Sequence, residues 1–271
     1  MWDPGQYRRF GSERSRPFYE LISRIGAVDP AFVADLGCGP GELTADLCRR
    51  WPSASVVGVD SSAEMIAAAG DVIAGMTGDG TPGGSERPVG WPRLAFELAD
   101  ARDWQPAKPV DVIVSNALLQ WIPGHEQLLV RWLGMLGDGG WLAFQVPANF
   151  DQPAHALLRN LVASRRWRPL LGDVALNRQA ADPADYLDLL ASDGCEVDAW
   201  ETTYLHVLRG DDPVLRWYQG TGLRPVLAAL DPDRTAEFLA EYGALLRDAY
   251  PASRFGTVLP FRRVFVVAHR T

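Results

Sequence analysis

Short apolar runs rich in β-branched residues alternate, along the first half of the chain, with stretches whose apolar residues recur every three or four positions. The first pattern suits buried strands of a parallel sheet, and the second suits helices laid upon it. Leu21, Ile22 and Ile25 predict a short helix that opens at Pro17, since proline's fixed φ and missing N–H suit a first helical position. A strand follows from Phe32 to Leu36. Leu43, Leu47 and Trp51 mark one face of a helix that ends before Pro52. Ser55 to Asp60 is a second strand, and Ser62 is placed to cap a helix over Ala63 to Ala69. From Gly70 to Pro92 the rhythm breaks in a Gly-, Pro- and Ser-containing stretch that reads as a loop or disordered insertion. Leu94 to Leu98 and Asp111 to Ser115 then read as strands. Leu128, Leu129, Trp132, Leu133 and Leu136 predict a helix stopped by Gly137-Asp138-Gly139-Gly140, and Trp141 to Val146 predicts a fifth strand.

Beyond Pro147 the texture turns helical. Apolar spacing predicts helices over 152–168 and 183–193, a strand from Cys195 to Tyr204, helical segments over about 211–249, and a last strand from Arg263 to Ala268. The sum is an α/β, Rossmann-like fold: a seven-stranded, mostly parallel sheet with helices on both faces. The long helical block before the last strand predicts a helical cap at the C-terminal edge of the sheet, where open α/β sheets bind ligands.

Composition narrows the function. The chain has 271 residues, 47% hydrophobic and 22% charged, which is ordinary for a globular protein. No apolar run approaches the roughly 18 residues of a membrane span. A net charge of −8 argues against nucleic-acid or anionic-membrane partners. Met1-Trp2-Asp3-Pro4 has no basic region leading into an apolar stretch, and Cys38, Cys48 and Cys195 form no C-x-x-C pair. A reduced, cytoplasmic protein is expected. The four histidines show no metal-ligand spacing, so no metal is expected. Lys108 is the sole lysine, and it stands in a loop-like stretch between prolines, which leaves lysine-based mechanisms a single poor candidate.

The chemistry concentrates in Asp35-Leu36-Gly37-Cys38-Gly39-Pro40-Gly41-Glu42, at a strand-to-helix turn. Three alternate glycines let a ligand approach the backbone closely, and the helix start behind them offers free N–H groups. Asp60 ends the second strand, where a carboxylate can accept from both hydroxyls of a ribose. Asp100 follows the third strand and can accept from an adenine amino group; Asn116 follows the fourth and faces the reacting end. Four successive strand ends thus spell out an adenosine with a charged tail. A dinucleotide site uses G-x-G-x-x-G, but here the spacing is G-x-G-x-G behind an acid. Asp35 would repel a pyrophosphate and attract an ammonium, so the tail is an amino acid.

These motifs resemble those of the class I S-adenosylmethionine-dependent methyltransferases. The resemblance rests on Val33 to Gly41, Gly58-Val59-Asp60-Ser61-Ser62, Leu98-Ala99-Asp100-Ala101 and Ser115-Asn116-Ala117-Leu118-Leu119-Gln120-Trp121. Further stretches, such as Trp2-Asp3-Pro4, Gly194-Cys195-Glu196-Val197-Asp198 and Thr221-Gly222-Leu223-Arg224-Pro225, resemble the trans-aconitate methyltransferase family within that class. The resemblance implies one methyltransferase domain over 1–271: an N-terminal segment over the cofactor (1–30), a cofactor-binding core (31–147), and a helical cap and substrate region (148–194 and 206–260). It implies that Gly37, Gly39 and Gly41 approach the methionine part of S-adenosylmethionine and that Asp35 orients its amino group. It implies that Asp60 holds the ribose, flanked by Ser61 and Ser62, and that Asp100 and Ala101 frame the adenine, with Met65 against its face. Tyr7 and Arg14 from the N-terminal segment, and Asn116 and Gln120 after the fourth strand, complete the cofactor set. S-adenosylhomocysteine is the implied product.

The implied reaction is methylation of a carboxylate of trans-aconitate to a monomethyl ester. A carboxylate nucleophile, with a pKa of about 4, needs no general base, so no catalytic acid or base is assigned. Drawing a polyanion to an acidic protein needs local arginines, because a guanidinium grips a carboxylate bidentately. Candidates are Arg14, Arg16, Arg178, Arg224, Arg254 and Arg262, with Trp121, Tyr204 and His206 beside the substrate and Trp104 next to a motif. The expected partner is a small-molecule carboxylate and the expected assembly a monomer or weak homodimer. The competing readings are a methyltransferase for a phenol, a quinone or another small acid, a nicotinamide dehydrogenase, and a binding module without catalysis. The glycine spacing and the lack of a Tyr-x-x-x-Lys pair stand against the dehydrogenase.

Overall fold

The computed structural model describes residues 11–77, 93–176 and 180–271. Helix α1 (Gly11–Ser23) precedes strand β1 (Phe32–Leu36), helix α2 (Glu42–Arg50), strand β2 (Ser55–Asp60) and helix α3 (Ala63–Thr77). Strands β3 (Arg93–Leu98) and β4 (Val110–Asn116) follow, then a 3-10 turn (Leu119–Trp121), helix α4 (His125–Leu133) and strand β5 (Leu136–Pro147). Next come helices α5 (Pro153–Ala163), α6 (Arg168–Leu171) and α7 (Pro183–Ser192) and strand β6 (Cys195–Leu208). Helices α8 (Pro213–Gln219), α9 (Arg224–Ala228) and α10 (Pro232–Ala249) lead to strands β7 (Ala252–Ser253) and β8 (Gly256–Arg270).

The sheet order is β3-β2-β1-β4-β5-β8-β6, with β7 paired to β8. Strands β1 to β5 run parallel to one another, so their C-terminal ends share one edge. The chain steps from β1 to β2 on one side and returns to β4 on the other. The gap between β1 and β4 is therefore the topological switch point, where such sheets open a crevice. Strand β1 reads as an unbroken apolar run apart from its acid because both its faces are covered: Val33, Ala34 and Leu36 are wholly buried.

Several boundaries differ from the pattern-based expectation. Pro17 lies inside α1, not at its start. An interior proline costs roughly 3 kcal/mol; burial of Pro17, Phe18, Leu21 and Ile22 offsets that cost. Helix α3 runs through Gly70 to Thr77, because one exposed glycine costs only about 1 kcal/mol while Val72 and Ile73 beyond it are half-buried. The remainder of the predicted insertion, 78–92, lies outside the described residues. Leu136 belongs to β5, not to α4, which ends at Leu133. The glycine run that was expected to stop the helix is a bulge inside β5. Val110 pairs with Leu136 and Val112 with Trp141, and Gly139 takes φ 70° between them. Strand β6 extends past Tyr204 to Leu208, so Tyr204 and His206 sit within it and not after it. The last strand is also longer than Arg263 to Ala268.

The chain divides into two compact units. One comprises Ser15–Val146, Ala180–Glu201 and Val264–Thr271, and holds β1 to β5 and α7. The other includes Pro147–Gln179 and Thr202–Arg263. Its described residues have their own apolar core, built on Trp167, Trp217, Tyr218, Phe238 and Tyr242 from α8, α10 and the residues around α6.

Candidate functional site

Three positive φ angles shape the turn after β1: 82° at Gly37, 57° at Gly39 and 85° at Gly41. The turn is pinned from below, with Gly37 and Cys38 both donating to the Val59 carbonyl at 2.8 and 3.1 Å. The glycines differ in what surrounds them. A Cβ on Gly37 would stand 2.8 Å from Leu118 Cβ, and one on Gly41 would stand 2.5 Å from the Phe96 ring. At Gly39 a Cβ would meet nothing within 4 Å. The first and last glycines are close-packed, and the backbone at the middle one is open.

Asp35 lies just before this turn and is only 2% exposed. Its Oδ2 accepts from the Thr44 hydroxyl of α2 at 2.6 Å, whereas its buried Oδ1 has no hydrogen-bond partner among the described residues. Burial pushes this carboxyl up from its ordinary 3.8 to about 7; the Thr44 bond opposes the rise and the nearby Asp60 charge adds to it. A buried acceptor of this kind calls for N–H donors and positive charge. Cys38 is buried beside both acids, which raises its thiol pKa and keeps it neutral.

Asp60 ties the turn to β2. Its Oδ2 accepts from Gly39 N at 3.0 Å and its Oδ1 from Ser62 N at 2.9 Å. Each oxygen keeps a second lone pair, enough for two vicinal hydroxyls. The Ser62 hydroxyl accepts from Met65 N at 3.3 Å, which makes it the cap of α3; Met65 is half-buried and Ser61 exposed. Ala99 N donates to the Asp60 carbonyl at 3.1 Å, so the β3 end adjoins the β2 end. Asp100, however, is engaged by Arg102, whose Nη2 donates to Oδ2 at 2.6 Å. This pairing holds the Asp100 carboxyl below its usual range. Ala101 and Trp104 are buried, with Trp104 Nε1 donating to Glu97 at 3.0 Å.

The segment after β4 is strained at Ala117, a non-glycine residue at φ 58°. Asn116 Oδ1 accepts from Gln145 Nε2. Gln120 donates from Nε2 to the Ala117 carbonyl at 2.6 Å, while its buried Oε1 has no partner among the described residues. Trp121 is 46% exposed. Sequence reasoning missed Thr44, Gln145 and Arg102. Gln145 did leave a signal, one polar residue inside the apolar run Trp141 to Val146; it is 1% exposed.

The predicted acceptor-side residues are less gathered. Tyr204 and His206 are buried in the second unit, where His206 stacks on Trp217 at 5.0 Å and contacts Phe261 at 5.8 Å. Arg16, Arg224 and Arg254 are exposed, and Arg262 reaches the Ala148 carbonyl at 3.4 Å. Tyr7 and Arg178 lie outside the described residues, and of Arg14 only the backbone, in α1, is described.

A glycine turn at the switch point of a parallel sheet, followed by an acid on the next strand, defines a nucleotide-type cofactor fold. The family model for a methyltransferase domain matches residues 7–186. Among solved structures, the YcgJ protein of Bacillus subtilis aligns at TM-score 0.55 and 13% identity over 93% of this chain and 97% of that one. Phosphoethanolamine N-methyltransferase 2 of Haemonchus contortus, solved with phosphomonomethylethanolamine and S-adenosylhomocysteine, aligns at TM-score 0.53 and 14% identity over 93% of this chain and 52% of that one. Curated relatives are nearer. The trans-aconitate 2-methyltransferase of Streptomyces avermitilis is 52% identical over 99% of this chain and 97% of its own length. Those of Streptomyces coelicolor and Mycolicibacterium gilvum are 49% and 48% identical, over 99% of this chain and 86% and 98% of their own lengths. The chain belongs to the methyltransferases and, within them, to the trans-aconitate 2-methyltransferase family.

Proposed function

We propose that this enzyme transfers the methyl group of S-adenosylmethionine to a carboxylate of trans-aconitate, giving the monomethyl ester and S-adenosylhomocysteine. The observation that carries the acceptor is the extent of the likeness. It covers 99% of the chain and so includes the residues beyond 186 that the general methyltransferase model does not reach. On the donor side, the unpartnered Asp35 Oδ1 and the open backbone at Gly39 fit an ammonium-bearing, sulfonium-bearing ligand and do not fit a pyrophosphate.

When bound, the cofactor supplies an electrophilic methyl group on a positively charged sulfur. Asp35, through its unpartnered Oδ1, would hold the amino group of the methionine part. Asp60 would accept the two ribose hydroxyls through its free lone pairs. Asp100, where not engaged by Arg102, would accept from the adenine edge. Asn116 and Gln120, braced by Gln145 and the Ala117 carbonyl, face the reacting end. We assign the substrate region to the helical stretches of 148–194 and 206–260, where Arg224 and Arg254 would grip the carboxylates that do not react. A carboxylate gripped less firmly stays nucleophilic, so no side chain need remove a proton. Alignment of the nucleophile with the S–CH3 bond does the work, and such positioning is worth up to roughly 7–11 kcal/mol. Neutralising one positive and one negative charge also favours a site that excludes water.

Among the described residues no helix is long and apolar enough to cross a membrane. That observation and three free cysteines fit the cytoplasm, where we place the enzyme. The test is radiolabelled methyl transfer to a panel of small acids, phenols and quinones. Trans-aconitate should be the best acceptor, and Arg224→Ala should raise its KM while leaving cofactor affinity unchanged. A phenol or quinone preferred over every acid would refute the reading.

A further inference from the structure

The segment that carries Gln120 and Trp121 is held by a hydrogen-bond chain away from the motifs themselves. His125 opens α4, 2% exposed, and its ring folds back so that Nδ1 lies 3.2 Å from the Ile122 carbonyl. Its Nε2 lies 2.7 Å from the hydroxyl of Tyr186 on α7, a residue with no exposed surface. The Tyr186 hydroxyl also accepts from Ala181 N at 3.2 Å. The Tyr186 ring stands edge-on to Phe144 at 5.1 Å, next to the Gln145 that binds Asn116.

These partners dictate where the protons sit. A carbonyl only accepts, so Nδ1 carries the hydrogen and donates to Ile122. Nε2 is then an acceptor, filled by the Tyr186 O–H. Ala181 N–H fills the tyrosine oxygen. The pattern closes for a neutral histidine in one tautomer. A second proton on His125 would turn Nε2 into a donor aimed at the tyrosine oxygen, leaving the tyrosine hydrogen buried with nothing to accept it.

We propose that His125 is a positioning residue for methyl transfer: through the Ile122 carbonyl it locks residues 117–122 in place beside the glycine turn, and Tyr186 holds it in the one tautomer that can do so. The link to the turn is the Gly37–Leu118 approach, so a shift of this segment reaches the backbone of the glycine turn directly. The inference rests on the methyl-transfer reading for its catalytic consequence, but the lock itself is measurable without it. The charged groups near the ring are Glu126, 4.0 Å from Nε2 on α4, and Asp185, beside Tyr186 on α7.

The test is amide hydrogen exchange of the whole enzyme, read together with steady-state kinetics. Trp121 and Ile122 donate their amides to Leu118 and Leu119 at 2.9 and 3.0 Å. In His125→Ala those amides should exchange about tenfold faster, as expected for one lost buried hydrogen bond. The strands β1 to β5 should be unchanged, kcat/KM for the acid should fall by a similar factor, and the cofactor Kd should rise with it. His125→Asn keeps a donor near Nδ1 and should recover most of the protection. Unchanged exchange at Trp121 and Ile122, or an equal rise in the β-strands, would overturn the proposal. Loss of protection with kcat/KM unaffected would overturn its catalytic half. A wild type that is inactive on trans-aconitate but normally protected would instead sink the substrate reading.

Discussion

Gly37→Ala and Gly39→Ala place the same methyl group two residues apart on one turn, yet the structure assigns them opposite consequences. Both positions have positive φ, 82° and 57°, so each alanine carries a strain of about 1–2 kcal/mol. Gly37 adds a steric term, because its new Cβ would sit 2.8 Å from Leu118 Cβ, the root of a side chain that no rotamer change can withdraw. The backbone cannot retreat either, since Gly37 N is bonded to the Val59 carbonyl at 2.8 Å. Overpacking of this kind costs about 1–3 kcal/mol, which brings Gly37→Ala to about 2–5 kcal/mol in total. At about 2–4 °C per kcal/mol for a chain of this size, its Tm should fall by about 4–20 °C, against about 2–8 °C for Gly39→Ala. Binding should rank the other way. The Gly39 methyl would enter the open face that the proposed reading gives to the methionine part of the cofactor, so Gly39→Ala should lose more affinity. Urea denaturation and calorimetric titration with S-adenosylhomocysteine measure the two orders independently. Equal stability losses, or a Gly39→Ala variant that binds as tightly as wild type, would refute the division of labour.

Three other outcomes follow from the same geometry. Asp35 holds its proton more tightly folded than unfolded, so the cofactor-free enzyme should lose stability as pH rises from about 4 to about 7, by up to about 4 kcal/mol; Asp35→Asn should lack this slope and bind cofactor poorly at pH 8. Asp60→Ala removes the acceptor of the half-buried Gly39 and Ser62 N–H groups, at about 0.5–1.5 kcal/mol for each lost hydrogen bond, and on the proposed reading of Asp60 as the ribose-binding acid should also weaken cofactor binding. Arg102→Ala frees the Asp100 carboxylate, and titration at low salt should show cofactor affinity unchanged or improved; a large loss would mean that Arg102 itself binds the cofactor.

The elements nearest the site were legible because their residues obey local rules. A buried parallel strand is a short apolar run, and β1 and β2 end where such runs meet an acid. Positive φ is open to glycine and costly for other residues, so Gly37, Gly39 and Gly41 announce the turn before any contact is known. The observed order of the strands brings four carboxylate or amide ends to one edge. Where local rules compete with burial they misled. Pro17 and Gly70 look like helix boundaries, yet neither outweighs the apolar face that continues past it.

What no local pattern carries is which distant residue meets which. Thr44 bonds Asp35 from nine positions away, Gln145 bonds Asn116 from 29, and Tyr186 bonds His125 from 61. Asp100 and Arg102 are sequence neighbours, but only the fold shows the carboxylate turned to the guanidinium. Even the Asp35 carboxyl, an ordinary acid in its sequence, becomes a group near neutrality chiefly because packing removes its water, with the Asp60 charge adding to the rise. Backbone conformation and side-chain period are properties of short stretches and can be read from the residues themselves. Burial, protonation and the pairing of polar groups depend on which surfaces meet, and the chain specifies those only by folding.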